Sequence, residues 1–289
     1  MTLENTLLNS KIVTRLVIVC FLLLVVVPFA AGLMYAILYS VGLIGILSNG
    51  FTTSHISGTV QNPEILFSLL YSFYVASCSM LISLVLSLGG VLFFKSSITK
   101  GKWSFFSYLP LAAPAIVTAF VSLQVFNKTG VLSRVLYQTN AISDLSQFPD
   151  MVNDSLGIGI ITTHVLMATP FFLIFFSNIY EAENLKSLSE VAKSLGASST
   201  KVAEKIAIPL LLKKGLNTIL LYFIFVIGSY EIPLILGQQS PQMISVLIVR
   251  KMQRYNLIDI PQGYFLSIVY SVVVILLIAV FLKSKKPVI

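Results

Sequence analysis

Six long apolar stretches, separated by shorter polar segments, dominate the pattern of this chain. A membrane-spanning helix needs roughly 20 mostly apolar residues, and each stretch has about that length. The stretches are about Leu16–Tyr39, Ile65–Phe94, Phe105–Phe126, Leu156–Tyr180, Gly215–Leu236 and Tyr264–Leu282. The pattern predicts an all-α membrane protein with six transmembrane helices, in which residues 1–289 form a single transmembrane domain.

The first stretch follows Lys11 and Arg15, an order that is also typical of a secretory signal peptide. Its apolar run is longer than that of a signal peptide, and no small-residue cleavage pattern follows it. We therefore expect the first span to be retained in the protein.

Composition excludes two other classes of protein. Hydrophobic residues make up 56% of the chain and charged residues 10%, with a mean hydropathy of +0.93. This much apolar surface is incompatible with disorder, and the polar side chains are too few to cover a water-soluble globule.

Cys20 and Cys78 both lie in apolar stretches, and no Cys or His spacing is typical of a metal site. We expect two buried thiols and no bound metal.

The net charge of +8 is explained by the placement of the charges. If both termini are inside, 14 of the 19 Lys and Arg residues fall in inside segments, which carry +9, whereas the outside segments carry zero. This distribution follows the positive-inside rule and matches the anionic inner leaflet of a membrane. We therefore predict cytoplasmic termini and lipid partners, and the basic charge does not require nucleic acid.

The loop between the fourth and fifth spans, Glu181–Lys214, has the pattern of two short helices joined by a tight turn. The run Ser187-Leu188-Ser189-Glu190 fits a capping box at the start of the first helix. Gly196 is placed to end that helix. Val191 and Leu195 are four residues apart and therefore share a helix face.

The second helix of the loop is expected to begin at Ser198 or Ser199. Pro209 is expected to end it, because proline lacks a backbone donor and clashes with the preceding turn.

This loop resembles the EAA loop of ABC-importer permeases. The family pattern is roughly E-A-A, three residues, G, nine residues, I, one residue, and L-P. The matching residues here are Glu190, Val191, Ala192, Gly196, Ile206, Ile208 and Pro209. Val191 stands where the family has alanine and Ile208 where it has leucine, and both changes keep the position apolar.

Further segments resemble the polyamine, ferric-iron and sulfate-type branch of these permeases. Gly228–Gly237 resembles the fifth span of that branch, and Leu109–Pro114 resembles the opening of the third. Pro241 and Ser245–Ile248 also fit. The resemblance covers roughly Ile65 to Leu282.

The resemblance implies the fold of a type I ABC importer permease in a bacterial cytoplasmic membrane. It implies that the loop forms a coupling helix, seated in a groove on a cytoplasmic ATPase. The implied ATPase-coupling residues are Glu190, Val191, Ala192, Leu195, Gly196, Ala197, Ile206 and Pro209. The implied partners are two ABC ATPase subunits, a second permease subunit that is identical or related, and an extracytoplasmic solute-binding protein.

The chain has no phosphate-binding P-loop, since its only Gly-Lys pair, Gly101-Lys102, is followed by Trp103. The chain itself is therefore expected to hold no cofactor and to be a transporter subunit without enzymatic activity. ATP and Mg would be bound by the partner ATPase.

Glu231 is the only carboxylate inside a predicted span. A charge at membrane depth costs roughly 2.5–3.5 kcal/mol on insertion scales, so it should face the helix bundle or a cavity. Gly228 and Pro233 flank it and could break the helix, exposing backbone groups to a cavity. We predict that Tyr230, Glu231 and Pro233 belong to the translocation path or gate. Pairing with a neighbouring helix, or a place near the outer interface, is the alternative for Glu231.

The expected solute is small and polar, and Glu231 slightly favours a polyamine or another amine-bearing compound over ferric iron, phosphonate or a sulfate-like anion. An ion-coupled secondary transporter is the alternative function. It would need several intramembrane ionisable residues and an internal repeat, and one glutamate without an evident repeat argues against it. A membrane-embedded enzyme would need a nucleophile with a base, or metal ligands, at membrane depth, and His164 lacks such company in the sequence. We expect His164 to be a buried, hydrogen-bonded histidine.

Overall fold

The computed structural model describes residues 13–46, 48, 50–100, 108 and 110–284. These residues contain no β-strand, and six of their helices are long and apolar enough to cross a membrane. The prediction of an all-α protein with six spans is confirmed. The candidate spans are Val13–Ser40, Pro63–Phe93, Ala115–Gln138, Ile158–Ala182, Ser199–Leu236 and Asp259–Phe281.

Some of the predicted features lie outside the described residues. The expected start of the third span at Phe105 is one of them, and so is Leu109 of the motif that opens this span. Five residues that entered the charge distribution also lie outside the described residues, namely Glu4, Lys11, Lys102, Lys285 and Lys286.

The helices are numbered here in chain order. They are α1 (Val13–Ser40, with a π-helical turn at Leu22–Val26), α2 (Ser54–Val60), α3 (Pro63–Lys100), α4 (Ala115–Phe126), α5 (Val131–Gln138), α6 (Ile158–Ala182), α7 (Leu185–Ser194), α8 (Ser199–Val202), α9 (Ile208–Ile227), α10 (Glu231–Leu236), α11 (Ile244–Met252) and α12 (Asp259–Ser284). A π-helical turn, Ala203–Ala207, joins α8 directly to α9.

The chain groups into two compact units, of which the smaller comprises Met1–Asn62 with Ile248–Ile289 and the larger comprises Pro63–Leu247. The expectation of a single transmembrane domain stays a prediction. In the smaller unit α12 packs against α1, and the ring of Tyr264 lies with its centroid 4.4 Å from that of Tyr39.

The larger unit has its main core where α3, α6 and α9 meet. The buried members of this core, which we call the inner core, are Met80, Leu88, Val91, Ala168, Phe172, Phe176, Leu185, Ala207 and Leu211. Lipid is as apolar as the side chains, so the hydrophobic effect does not hold membrane helices together. They associate instead through close van der Waals packing, which small residues at the contact allow. Gly215 of α9 meets this need, since a Cβ at that position would lie only 2.8 Å from Cε1 of Phe176.

Small polar residues line the buried side of α3. They are Ser68, Ser72, Ser79, Ser83 and Ser87. The hydroxyls of Ser72 and Ser83 donate to the carbonyls four residues earlier, which satisfies them within the helix. Their small size allows α6 to approach α3 closely.

The loop after α4 confirms a local prediction. The sequence of this loop predicts a short helix at about Leu132–Gln138, and α5 occupies Val131–Gln138. Further along, Asp144 accepts a hydrogen bond from the Ser146 backbone N–H at 2.7 Å and caps the single 3-10 turn that follows.

Candidate functional site

The first helix of the loop between the fourth and fifth spans, α7, begins earlier than its sequence predicts. It starts at Leu185, so the predicted capping box is wrong: Ser187 and Glu190 both lie inside the helix, and Asn184 at the N-cap makes no side-chain cap. The cause is the burial of Leu185, which is 0% exposed within the inner core. Burying a leucine is worth about 1.5–3 kcal/mol, more than the ~1 kcal/mol of a typical N-cap.

The turn after α7 is the glycine turn that was predicted. Gly196 has φ +89°, a left-handed conformation that glycine adopts without steric cost. Its N–H donates to the Lys193 carbonyl at 2.9 Å, and the N–H of Ala197 donates to the Ala192 carbonyl at 3.0 Å. This pair of bonds is a Schellman motif and fixes the direction of the chain beyond α7.

The second helix begins as predicted, because Ser198 caps it by accepting a hydrogen bond from the Lys201 N–H at 3.3 Å. The prediction that Pro209 ends it is wrong. After α8 the chain widens into the π-helical turn, in which Ile208 N–H donates to the Ala203 carbonyl, and then continues as α9. The wider turn changes the hydrogen-bond register just before Pro209, so the missing donor falls at the start of α9, where proline is tolerated.

Three apolar side chains lie exposed along one side of α7. Leu188 is 44% exposed, Val191 is 58% exposed and Leu195 is 83% exposed. Their spacing of three and four residues places them in one row, which we call the coupling stripe. Glu190 beside it is exposed, and its Oε1 lies 4.0 Å from the Lys186 Nζ. Such a row of apolar side chains in a polar loop is typical of a protein-binding surface.

The remaining predicted coupling residues differ in their surroundings. Ala192 and Ala197 are partly buried, and Ile206 packs against the inner core. Pro209 is exposed on the first turn of α9. The loop therefore has an outward face on α7 and an inward face that joins it to the spans.

Two contacts tie this loop to the spans. Leu185 inserts into the inner core, and the carboxylate of Glu183 lies 2.8 Å from the Lys214 Nζ of α9. Because α8 also runs without a break into α9, the loop is attached to the fifth span at both of its ends.

The predicted break in the fifth span is present. Helix α9 ends at Ile227, Gly228 forms its C-cap, and α10 begins at Glu231. Pro233 does not contribute to the break, contrary to one part of the prediction. It lies in the first turn of α10, where the absence of a backbone donor has no cost.

The short helix α10 has a buried side and an exposed side. Ile232, Pro233 and Leu236 are buried, whereas Glu231 and Leu234 are exposed. Ile232 and Leu236 pack in a second core cluster of the larger unit, whose other buried members are Tyr71, Val75, Ala119, Ile160 and Met243.

The three residues predicted to line the path differ in how far they are buried. Glu231 points away from the core of its own unit and makes no ion pair with the described residues. Tyr230 is half-buried, and Pro233 belongs to the packed side.

His164 is buried and hydrogen-bonded, as predicted. It is 1% exposed, and its Nε2 lies 3.0 Å from the hydroxyl of Ser229 in the break. No sequence signal identifies this partner, because 65 residues separate the two positions.

The two cysteines are not both buried, so that prediction is wrong. Cys20 is exposed and Cys78 is intermediate. In a membrane an apolar side chain can be covered by lipid, so its hydrophobicity does not predict burial within the chain. Among the described residues, no group of three or more His, Cys, Asp or Glu side chains is arranged to hold a metal ion.

The solved structures that share this fold include two of bacterial ABC transporters. The crystal structure of a bacterial ABC transporter involved in the import of the acidic polysaccharide alginate matches with a TM-score of 0.70 and 16% identity, covering 99% of this chain and 100% of that one. The bacterial alginate ABC transporter in complex with an alginate pentasaccharide-bound periplasmic protein matches with a TM-score of 0.66 and 18% identity, covering 95% of this chain and 93% of that one.

Comparison by sequence gives the family. No curated protein matches the chain. Residues 86–284 match the family described as "Binding-protein-dependent transport system inner membrane component". This match takes in the coupling stripe, the break in the fifth span and the last two spans. The chain therefore belongs to that family of inner-membrane transport components, and its fold is that of an ABC importer permease.

Proposed function

We propose that this chain, together with a second permease subunit, forms the translocation path of an ATP-driven importer for a small polar solute. An extracytoplasmic binding protein delivers the solute, and two separate ATPase subunits bind ATP and Mg and drive the cycle. The observation that carries the proposal is the loop between the fourth and fifth spans, which exposes an apolar stripe and is fixed to the spans behind it.

The coupling stripe supports an ATPase partner by its energetics. Burying one exposed leucine or valine in a groove contributes about 1.5–3 kcal/mol, and the stripe offers three such side chains. Acidic and basic residues beside it, such as Glu190 and Lys186, would fix the orientation of α7 in that groove. Because Leu185 is held in the inner core, movement of a bound ATPase would be transmitted to the spans as a rigid-body motion.

Glu231 supports a second permease subunit. A carboxylate left facing lipid would cost roughly 2.5–3.5 kcal/mol, and this side chain is exposed on its own chain. A second subunit that encloses a water-filled path would remove that cost. Tyr230 and Glu231 would then line the path or its gate, while Pro233 would support them from the packed side of α10.

A carboxylate in the path favours a cationic or amine-bearing solute, and polyamines fit best. The fold itself does not select the charge of the solute, because the similar alginate transporter imports an acidic polysaccharide. Uptake of spermidine, ferric iron and sulfate by cells that express the complex would compare the classes directly. Uptake of sulfate alone would contradict the proposed role of Glu231.

The orientation of the chain in the membrane follows from the proposed contact between the coupling stripe and the ATPase. With the coupling stripe facing a cytoplasmic ATPase, both termini are cytoplasmic, and Glu64 and the loop around Asp144 face outwards. The excess of Lys and Arg then meets the anionic inner leaflet.

The test is purification of the tagged chain from its native membrane in mild detergent, with mass spectrometry of the proteins that accompany it. We expect a P-loop ATPase in the wild-type sample. Val191→Asp should reduce its recovery at least about tenfold, because a charge would enter an apolar groove.

The matched control is Val60→Asp, which changes a comparably exposed valine on α2, outside the six candidate spans. It should leave recovery of the ATPase unchanged. Solute flux without ATP by the chain alone would instead identify an ion-coupled secondary transporter.

A further inference from the structure

Side chains from two other helices hold the break in the fifth span. The His164 Nε2 of α6 lies 3.0 Å from the Ser229 hydroxyl, and the Ser245 hydroxyl of α11 donates to the Ser229 backbone carbonyl. His164 and Ser229 are both buried, and all three residues belong to the larger unit. Ser229 is therefore bound through its side chain and through its backbone.

These bonds compensate for what a helix break costs at this depth. Where a helix stops, its last carbonyls lose their partners within the helix. In an apolar environment such an unsatisfied group is strongly destabilising, because no water is present to bond it. The Ser229 N–H bonds back to one of these carbonyls, that of Val226, at 3.1 Å, and the Ser245 hydroxyl satisfies the Ser229 carbonyl within the break.

The same bonds fix where α10 begins. The helix has only six residues, too few to be stable on its own. Its far end is held by the Asn153 backbone N–H, which donates to the Leu236 carbonyl at 2.8 Å. Its near end is held through Ser229, two residues before Glu231.

We propose that His164 is a positioning residue, which fixes the break through Ser229 and thereby sets the direction in which Glu231 leaves α10. The significance of Glu231 for transport rests on the proposed function, which assigns this residue to the path. The claim that His164 fixes the break through Ser229 does not depend on that function.

The atom that forms the bond provides a selective test. Since Nε2 is the ring nitrogen farther from the backbone, a glutamine amide can reach its position and an asparagine amide cannot. His164→Gln should therefore preserve the bond to Ser229, whereas His164→Asn and His164→Leu should lose it. A role in packing alone would not separate glutamine from asparagine in this way.

The experiment is hydrogen–deuterium exchange with mass spectrometry on the full chain in lipid nanodiscs, with whatever subunits accompany it. In His164→Leu and His164→Asn the amides of residues 228–234 should exchange about tenfold faster than in the wild type, because a buried hydrogen bond is lost. His164→Gln should exchange like the wild type. Residues 215–226 of α9 should be unchanged in every variant.

Ser229→Ala is the second variant, since it removes the other partner with a smaller change of volume and should give the same local increase. Equal exchange in all variants would overturn the proposal, and so would an increase spread over every helix of the larger unit. Recovery of the ATPase from the same samples tests the proposed function separately. Absence of an ATPase from the wild-type sample, with the local exchange pattern of the variants as expected, would reject the importer and leave His164 as a positioning residue.

Discussion

Gly196 forms the tight turn between α7 and α8 in the loop Glu181–Lys214, which we call the coupling loop. Its φ of +89° lies in the left-handed region, and a Cβ built there meets no atom within 4 Å. Any cost of a side chain at this position would therefore come from the backbone alone, at about 1–2 kcal/mol.

We expect Gly196→Ala to loosen the turn without disturbing the spans. Tryptic cleavage at Lys193 and Lys201 on either side of the turn should become about tenfold faster, because the turn opens more often. Gly89→Ala is the control: this glycine also has space for a Cβ but lies inside α3 without a positive φ. A Gly196→Ala protein that trypsin cleaves no faster would show that the Schellman turn does not depend on glycine.

Two leucines of the same loop should respond in opposite ways to truncation. Leu185 is buried in the inner core, and Leu195 is the most exposed member of the coupling stripe. Leu185→Ala should lower the free energy of unfolding by about 2–5 kcal/mol. Leu195→Ala should change it by no more than about 0.5 kcal/mol and should weaken binding of the ATPase instead. Thermal unfolding and co-purification measure the two effects, and a reversed result would mean that the faces of the loop are misassigned.

Close packing of α9 on α6 gives a prediction at the level of the elements. Gly215 approaches Phe176 so closely that Gly215→Ala would force the ring to move. We expect a loss of about 1–3 kcal/mol from overpacking, measured as a lower midpoint of thermal unfolding in lipid. Leu216→Ala, at the exposed neighbouring position, is the control and should have little effect. An unchanged midpoint for Gly215→Ala would show that α9 can shift at no cost.

The elements also show what sequence reasoning can reach. The six spans, the helix at Val131–Gln138 and the turn at Gly196 follow from local patterns of hydropathy and from the backbone freedom of glycine. The start of α7 and the continuation past Pro209 do not, because burial of Leu185 and a π-helical turn decide them. Local pattern cannot reveal either one.

The same limit applies to the candidate site. The positions of Val191, Leu195 and Glu231 in the chain suggested their roles, and their exposure is compatible with those roles. The contact of His164 with Ser229 joins positions far apart in the chain and requires the three-dimensional structure.

At the scale of the whole molecule, much apolar surface is left uncovered by the chain itself. The most apolar 18 residues of α1 contain no buried residue. Lipid covers such a surface readily, but lipid does not solvate the carboxylate of Glu231. The chain is therefore expected to work as part of a larger assembly.

Native mass spectrometry of the purified complex should give two permease chains for every two ATPase chains. Two masses for the permease would indicate a related partner, and one mass would indicate a homodimer. A complex with a single permease chain would contradict the proposed enclosure of Glu231 by a second subunit.

The π-helical turn at Ala203–Ala207 sets the angular phase between the coupling loop and the fifth span. It holds one residue more than an α-helical turn would, and one residue corresponds to about 100° of rotation about a helix axis. If the same residues closed into an ordinary α-helix with none removed, the loop would turn by about that angle relative to α9, with Val191, Leu195 and Glu231 all kept. The permease would then retain both the coupling stripe and the Glu231 side of the fifth span. The two surfaces would no longer face in their original relative directions, so movement of the ATPase would reach the path at the wrong angle.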